Sequence, residues 1–197
     1  DDAAFMAKLR AEKTRVQAGF LAQDPVTGHV LAWVGSRDFA QDPFDHVQAA
    51  RRQPGSTFKP FVYGAAFANG ATPEDTLMDT AVEIPLGGGR VWRPTDGGPP
   101  SDQPMTLADG LAFSKNTITA QVMQPVGPAR VADVARALGV RQSKLEEVPS
   151  LALGTSPVTL KEMISAYSSI VNLGRYVEPV LITSIEDRHG KVLETRS

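Results

Sequence analysis

The chain has no cysteine among its 197 residues, which excludes a disulfide framework and any thiolate metal site. Histidine is almost as scarce. His29, His46 and His189 stand singly, without the spacing of a ligand set, so no metal is expected. No stretch approaches the ~20 consecutive apolar residues of a membrane-spanning helix, and no signal peptide is visible. Neither sign of charge prevails: 20 Lys and Arg against 22 Asp and Glu leave a formal net charge of −2. With no basic run besides, that balance argues against a nucleic-acid partner. Glycine runs do occur, at Gly87-Gly88-Gly89 and Gly97-Gly98. Neither has Gly-x-Gly-x-x-Gly spacing or a following Lys-Ser/Thr, so no phosphate cradle and no cofactor is expected.

What is present suffices for one core, since 42% of the residues are hydrophobic. Residues 2–16 read as a helix or linker with Phe5, Leu9 and Val16 on one side. Residues 18–24 and 28–34 read as a hairpin around Pro25-Val26-Thr27-Gly28. A helix starting at Ser56 runs to Asn69-Gly70. Residues 71–105 are loop-rich, with a short strand pair at 81–85 and 90–93 flanking the triple glycine. Further helices are expected at 106–112, 117–124 and 128–138. Thr159-x-x-Glu162 is a capping box opening another, whose Leu160, Met163, Ile164, Tyr167 and Val171 form an expected core stripe. A second hairpin follows, at 180–186 and 191–194. Strand pairs around a helical block predict an α+β fold, mainly antiparallel with a helical subdomain.

Chemistry concentrates in two fragments. In RRQPGSTFKPFVYG, residues 51–64, lies a Ser-x-x-Lys, Ser56 to Lys59. Residues three apart on a helix share a face. A lysine there can take the proton from a serine, which is a poor nucleophile unaided. In LAFSKNTITA, residues 111–120, Ser114 and Asn116 flank Lys115. Two apart in a turning segment, they point the same way, and offer a hydroxyl to relay a proton and an amide to hold a substrate amide.

Ser-x-x-Lys followed by Ser-x-Asn is part of the signature of penicillin-binding proteins and serine β-lactamases. The stretches QDPVTGHVLAWVGSRDF (23–39), RRQPGSTFKPFVYG (51–64), LAFSKNT (111–117), LGTSPVTLKEMISAYSSIVNLG (153–174) and IEDRHGKVLE (185–194) extend that likeness. In this order the chain resembles the transpeptidase domain of class A (bifunctional) penicillin-binding proteins. The resemblance implies the penicillin-binding protein/serine β-lactamase-like transpeptidase fold, with residues 1–17 a linker or N-terminal helix and 18–197 a partial transpeptidase domain.

It also implies peptidoglycan D,D-transpeptidation. Ser56 would be the nucleophile, Lys59 its base and Ser114 the proton shuttle to the leaving group. Asn116, with Lys115 beside it, would bind the substrate. Implied partners are stem peptides ending in D-Ala-D-Ala and β-lactam antibiotics. Placement would be extracytoplasmic, the membrane being reached only through parts of a parent protein outside these residues. The family's third motif, Lys-Thr-Gly or Lys-Ser-Gly, is not among the 197 residues. The expectation is therefore a sheet incomplete in this chain, a partner chain or further C-terminal segment completing it, and poor activity of residues 1–197 alone. Two alternatives stand: a D,D-carboxypeptidase or serine β-lactamase-type hydrolase, and a non-catalytic module of the same fold. For Lys59 to act as a base much of it must be neutral. Burial beside Phe58 and Phe61, or the charge of Lys115, would favour that.

Overall fold

A computed structural model describes residues 2–195. The first helix, α1 (Asp2–Lys13), stays out of the core, with Phe5 and Met6 more than half exposed. Next comes an antiparallel hairpin of β1 (Phe20–Gln23) and β2 (Val30–Val34), in the register Phe20↔Val34 and Leu21↔Trp33. Its turn is built by Asp24, whose Oδ1 accepts from the backbone N–H of Val26 at 2.9 Å and Thr27 at 2.7 Å. Side-chain bonds of this kind are why Asp opens turns.

The core forms around α2 (Lys59–Ala68), in which Phe61, Val62, Tyr63, Ala65 and Ala66 are all buried. Burying a Phe or Val side chain contributes roughly 1.5–3 kcal/mol, so this one helix anchors much of the molecule. Against it pack α4 (Asn116–Val126), through Ile118, Val122 and Met123, and α5 (Pro128–Leu138), through Val131, Ala132 and Ala135. A 3₁₀ turn at Pro149–Leu153 adds Leu151 and Ala152. The short α3 (Leu107–Ala112) meets α2 and α4 at Gly110, where an added Cβ would strike Ile118 and the Tyr63 hydroxyl.

Residues 71–105 hold more order than their composition suggests. β3 (Thr76–Met78) pairs with β6 (Pro104–Thr106), enclosing the hairpin of β4 (Ile84–Gly87) and β5 (Arg90–Trp92). The β3–β6 ladder was not expected. Each strand has three residues, too few to display a period of two.

The last helix, α6 (Leu160–Val171), opens with the expected capping box of Thr159 and Glu162. Its buried face differs from the expected stripe. Glu162, Met163, Ser165, Ala166 and Ser169 are buried, whereas Tyr167 and Val171 are exposed and Leu160 and Ile164 half-buried. Small residues win because they admit α5: the Ser169 hydroxyl donates to Leu138 O at 2.6 Å. The chain closes with the hairpin β7 (Ser184–Glu186) and β8 (Val192–Thr195). Among the described residues the strands form four separate two-stranded antiparallel ladders around the helical block, an α+β arrangement. No helix among them is long and apolar enough to cross a membrane.

Candidate active site

Pro54 and Gly55 make the chain turn into a short 3₁₀ helix, Gly55–Phe58, which runs directly into α2 at Lys59. Ser56 thus sits in a 3₁₀ turn rather than in the first turn of an α-helix. It is not a capping residue, since Pro54 holds that position without a side-chain bond. The Lys59 backbone N–H donates to Ser56 O, closing the 3₁₀ turn that sets the two residues one turn apart. The two differ in environment: Ser56 is exposed, whereas Lys59 is 1% exposed.

Three ties fix this turn. Arg52 and Val158 exchange backbone hydrogen bonds of 2.9 and 3.0 Å, Gly55 N–H donates to Gly154 O at 3.2 Å, and the Tyr167 hydroxyl donates to Thr57 O at 2.7 Å. α6 and the segment before it therefore hold the serine in place. Beside the turn lies an open groove of about 560 Å³ lined by Pro54, Thr57, Val158, Leu160, Ile164 and Tyr167. The face of α6 expected to be core forms one wall of this groove.

The second fragment reaches Lys59 by the way α3 ends. Lys115 N–H donates to Gly110 O at 2.9 Å and Ser114 N–H to Leu111 O at 3.0 Å, the two bonds of a Schellman turn. Glycine usually takes the left-handed position of that turn; here Ser114 does, at φ 54°. The reversal aims Ser114 at α2. Lys59 Nζ donates to Ser114 O at 2.5 Å, to Ser114 Oγ at 3.0 Å and to Asn116 Oδ1 at 2.7 Å. All three ammonium protons have acceptors, and none of these bonds goes to Ser56. Burial holds the Lys59 amine below the ordinary lysine range, with the carboxylate of Asp96 pulling the other way.

Lys115 does not point at Lys59, and its charge has no part in that shift. Its Nζ lies 3.0 Å from Asp79 Oδ2 and 3.4 Å from Asp96 Oδ2, so its ammonium is neutralised between two carboxylates. Those partners raise its pKa, hydrogen bonding to Asp79 foremost. Asp79 is itself 1% exposed. Burial alone would raise its pKa, but bonds from Ser101, Thr117 and Lys115 outweigh it and keep the carboxylate ionised. Thr117 Oγ1 joins the pair, 2.7 Å from Asp79 Oδ1 and 3.2 Å from Asp96 Oδ2.

Asp79, Asp96 and Thr117 were missed by sequence reasoning. The two aspartates come from irregular segments with no periodicity, and only the position of Thr117, next to Asn116, hinted at it. Among the described residues, no group of three or more His, Asp or Glu is placed to hold a metal ion. The assembly therefore offers an exposed hydroxyl on a pinned turn, a buried amine of lowered basicity, a second hydroxyl bonded to that amine, and an amide. These are the parts of a serine acyl-transfer site.

The model of the penicillin binding protein transpeptidase domain matches residues 18–196. Penicillin-binding protein 2D of Bacillus subtilis is 38% identical over 180 residues, 90% of this chain and 26% of that protein. Penicillin-binding protein 1A of Rickettsia conorii is 38% identical over 182 residues, 92% of this chain and 23% of that protein. The crystal structure of penicillin-binding protein 1A from Haemophilus influenzae superposes with a TM-score of 0.86 at 31% identity, over 91% of this chain and 27% of that one. The chain thus spans about a quarter of the length of the relatives it matches.

Proposed function

This chain belongs to the penicillin-binding protein transpeptidase family, and we propose that it carries the acylating part of a peptidoglycan D,D-transpeptidase, outside the cytoplasm and within a longer, membrane-anchored, bifunctional protein. The observation that carries the reading is the buried Lys59 amine, bonded at once to Ser114 Oγ and Asn116 Oδ1 one turn from Ser56.

In the proposed reaction Ser56 Oγ attacks the carbonyl carbon of the penultimate D-Ala of a stem peptide. A bond from Oγ to carbon forms and the Oγ proton passes to neutral Lys59. As the tetrahedral intermediate collapses, the carbon–nitrogen bond to the terminal D-Ala breaks. The proton goes from Lys59 through Ser114 Oγ to the departing nitrogen. An amine of a second strand then attacks the acyl-serine and restores the hydroxyl. A β-lactam follows the first half of this course, but its leaving nitrogen stays tethered to the acyl group. Asn116 keeps capacity for a substrate amide, because its carbonyl oxygen has a second lone pair and its NH₂ a second proton.

Since no Lys-Thr-Gly or Lys-Ser-Gly occurs in these residues, the test uses the full-length protein. After benzylpenicillin, mass spectrometry should place the adduct on Ser56, and Ser56→Ala should carry none. Lys59→Ala should acylate at least ~100-fold more slowly. An adduct on any other residue overturns the assignment. With a pentapeptide substrate, cross-linked dimer supports transpeptidation; release of D-Ala without dimer would assign a carboxypeptidase instead.

A further inference from the structure

Asn116 is held from behind by a segment outside both sequence motifs. Its backbone N–H donates to Asp96 Oδ1 at 2.8 Å and its side-chain Nδ2 to Thr95 O at 2.8 Å, while its Oδ1 accepts from Lys59 at 2.7 Å. Lys115 stands at the N-cap of α4, and its side chain makes no capping bond to the helix, so Asp96 serves that N-terminus from a distant part of the chain. The bond to Thr95 fixes which way the Asn116 amide faces: nitrogen to the loop, oxygen to the lysine.

We infer that Thr95 and Asp96 form a positioning element of the proposed acyl-transfer site, holding Asn116 against Lys59 and bonding a carboxylate to the same residue that the amine bonds. The inference rests on the acyl-transfer reading of Ser56 and Lys59. Asp96 is a positioning residue, not a catalytic one, since it reaches the reacting atoms only through Asn116 and Lys59. Its charge has a direction of effect: a nearby anion favours the ammonium form of Lys59 and so opposes what burial achieves. Burial sets where the base becomes available, and Asp96 raises that lower pH limit.

Few other charges compete for that role. α2, α4 and both 3₁₀ turns carry none besides Lys59 itself. Asp109 of α3 is exposed. Arg130, Asp133 and Arg136 of α5 bond to Asn69, to one another and to Glu147. Lys115 bridges Asp79 at 3.0 Å and Asp96 at 3.4 Å, so it is, among the described residues, the one cation that offsets part of the Asp96 charge.

The test is the pH profile of acylation of Ser56 by a fluorescent penicillin, in full-length wild type and Asp96→Asn. The substitution keeps an acceptor for Asn116 N–H and removes the charge. The acid limb of the profile should move to lower pH by about one unit, so that near the foot of the wild-type limb the variant acylates severalfold faster. Asp96→Ala, which also deletes the acceptor, should instead slow acylation at every pH. A purely structural role would change amplitude but not the limb, so an unmoved limb in a folded Asp96→Asn overturns the inference while leaving Ser56 labelled. No labelling of wild type at Ser56 would instead remove the reading beneath it. If Asp96→Asn does not fold, Asp96→Ser reads the same displacement. Failure of both to fold assigns Asp96 to the scaffold and overturns the inference.

Discussion

Ser114 is one of three non-glycine residues with positive φ among the described residues, with Asp102 and Leu173. A left-handed backbone costs an ordinary residue roughly 1–2 kcal/mol, and helix ends that need it usually recruit glycine. On the proposed reading, this strain holds the hydroxyl that passes the proton to the leaving group. Ser114→Gly and Ser114→Ala both delete the hydroxyl bonded to Lys59, but only glycine relieves the backbone. The glycine variant should therefore be the more stable of the two by about 0.5–1 kcal/mol in urea unfolding, reversing the order found inside helices. Equal midpoints, or a more stable alanine variant, would show the backbone to be unstrained. At this scale the candidates Ser56, Lys59, Ser114 and Asn116 come from local spacing alone, and the structure bonds Lys59 to both Ser114 and Asn116. The fate of Lys115 could not. Its partners Asp79 and Asp96 lie 36 and 19 residues away, and nothing local marks either as an ion-pair acceptor.

Among the elements, the serine's own turn depends on a second one. The 3₁₀ turn Pro149–Leu153 ends at Gly154, whose φ is +69° and whose missing side chain leaves room for the Gly55 backbone. A methyl there would run into the Gly55 carbonyl, with no flexible side chain to give way. Gly154→Ala should destabilise the protein by about 2–4 kcal/mol, combining left-handed strain with overpacking. It should also slow acylation of the fraction that folds, because the displaced turn carries Ser56. Unchanged stability by thermal melt would mean that the two turns part easily. The need for glycine at 154 was not legible in LGTSP, since it arises from a neighbour 99 residues earlier in the chain. The error over α6 has a related cause. A periodic pattern ranks apolar residues, but the packed face was chosen by size, with Ser165, Ala166 and Ser169 admitting α5 and leaving Tyr167 to bond Thr57.

For the molecule as a whole, the helical block, the 139–143 turn and the approach to the serine are joined at one buried carboxylate. Glu162 Oε1 accepts from Gln142 N–H at 2.6 Å and Ser143 N–H at 2.8 Å; Oε2 accepts from the Ser143 hydroxyl at 2.6 Å and from Thr159 N–H and Oγ1 at 3.0 Å each. Ser143 in turn receives Arg51 Nε at 3.2 Å, three residues before Pro54. Burial alone would raise the pKa of Glu162, but these bonds outweigh it and the net shift is downward. The folded protein thus holds this proton less readily than the unfolded chain. The resulting stability is fully present above the ordinary glutamate value of 4.5 and is lost as pH falls through the lower folded one. Glu162→Gln should cost about 2–4 kcal/mol at pH 7, because an NH₂ group must face donors where an oxygen stood. It should also flatten the acid limb of stability, measured by urea unfolding between pH 7 and pH 3. The limb should persist in part, since Asp79 is likewise held below its ordinary range and contributes with the same sign. Parallel acid limbs in wild type and Glu162→Gln would show that the carboxylate stays ionised no more readily in the fold than in the unfolded chain.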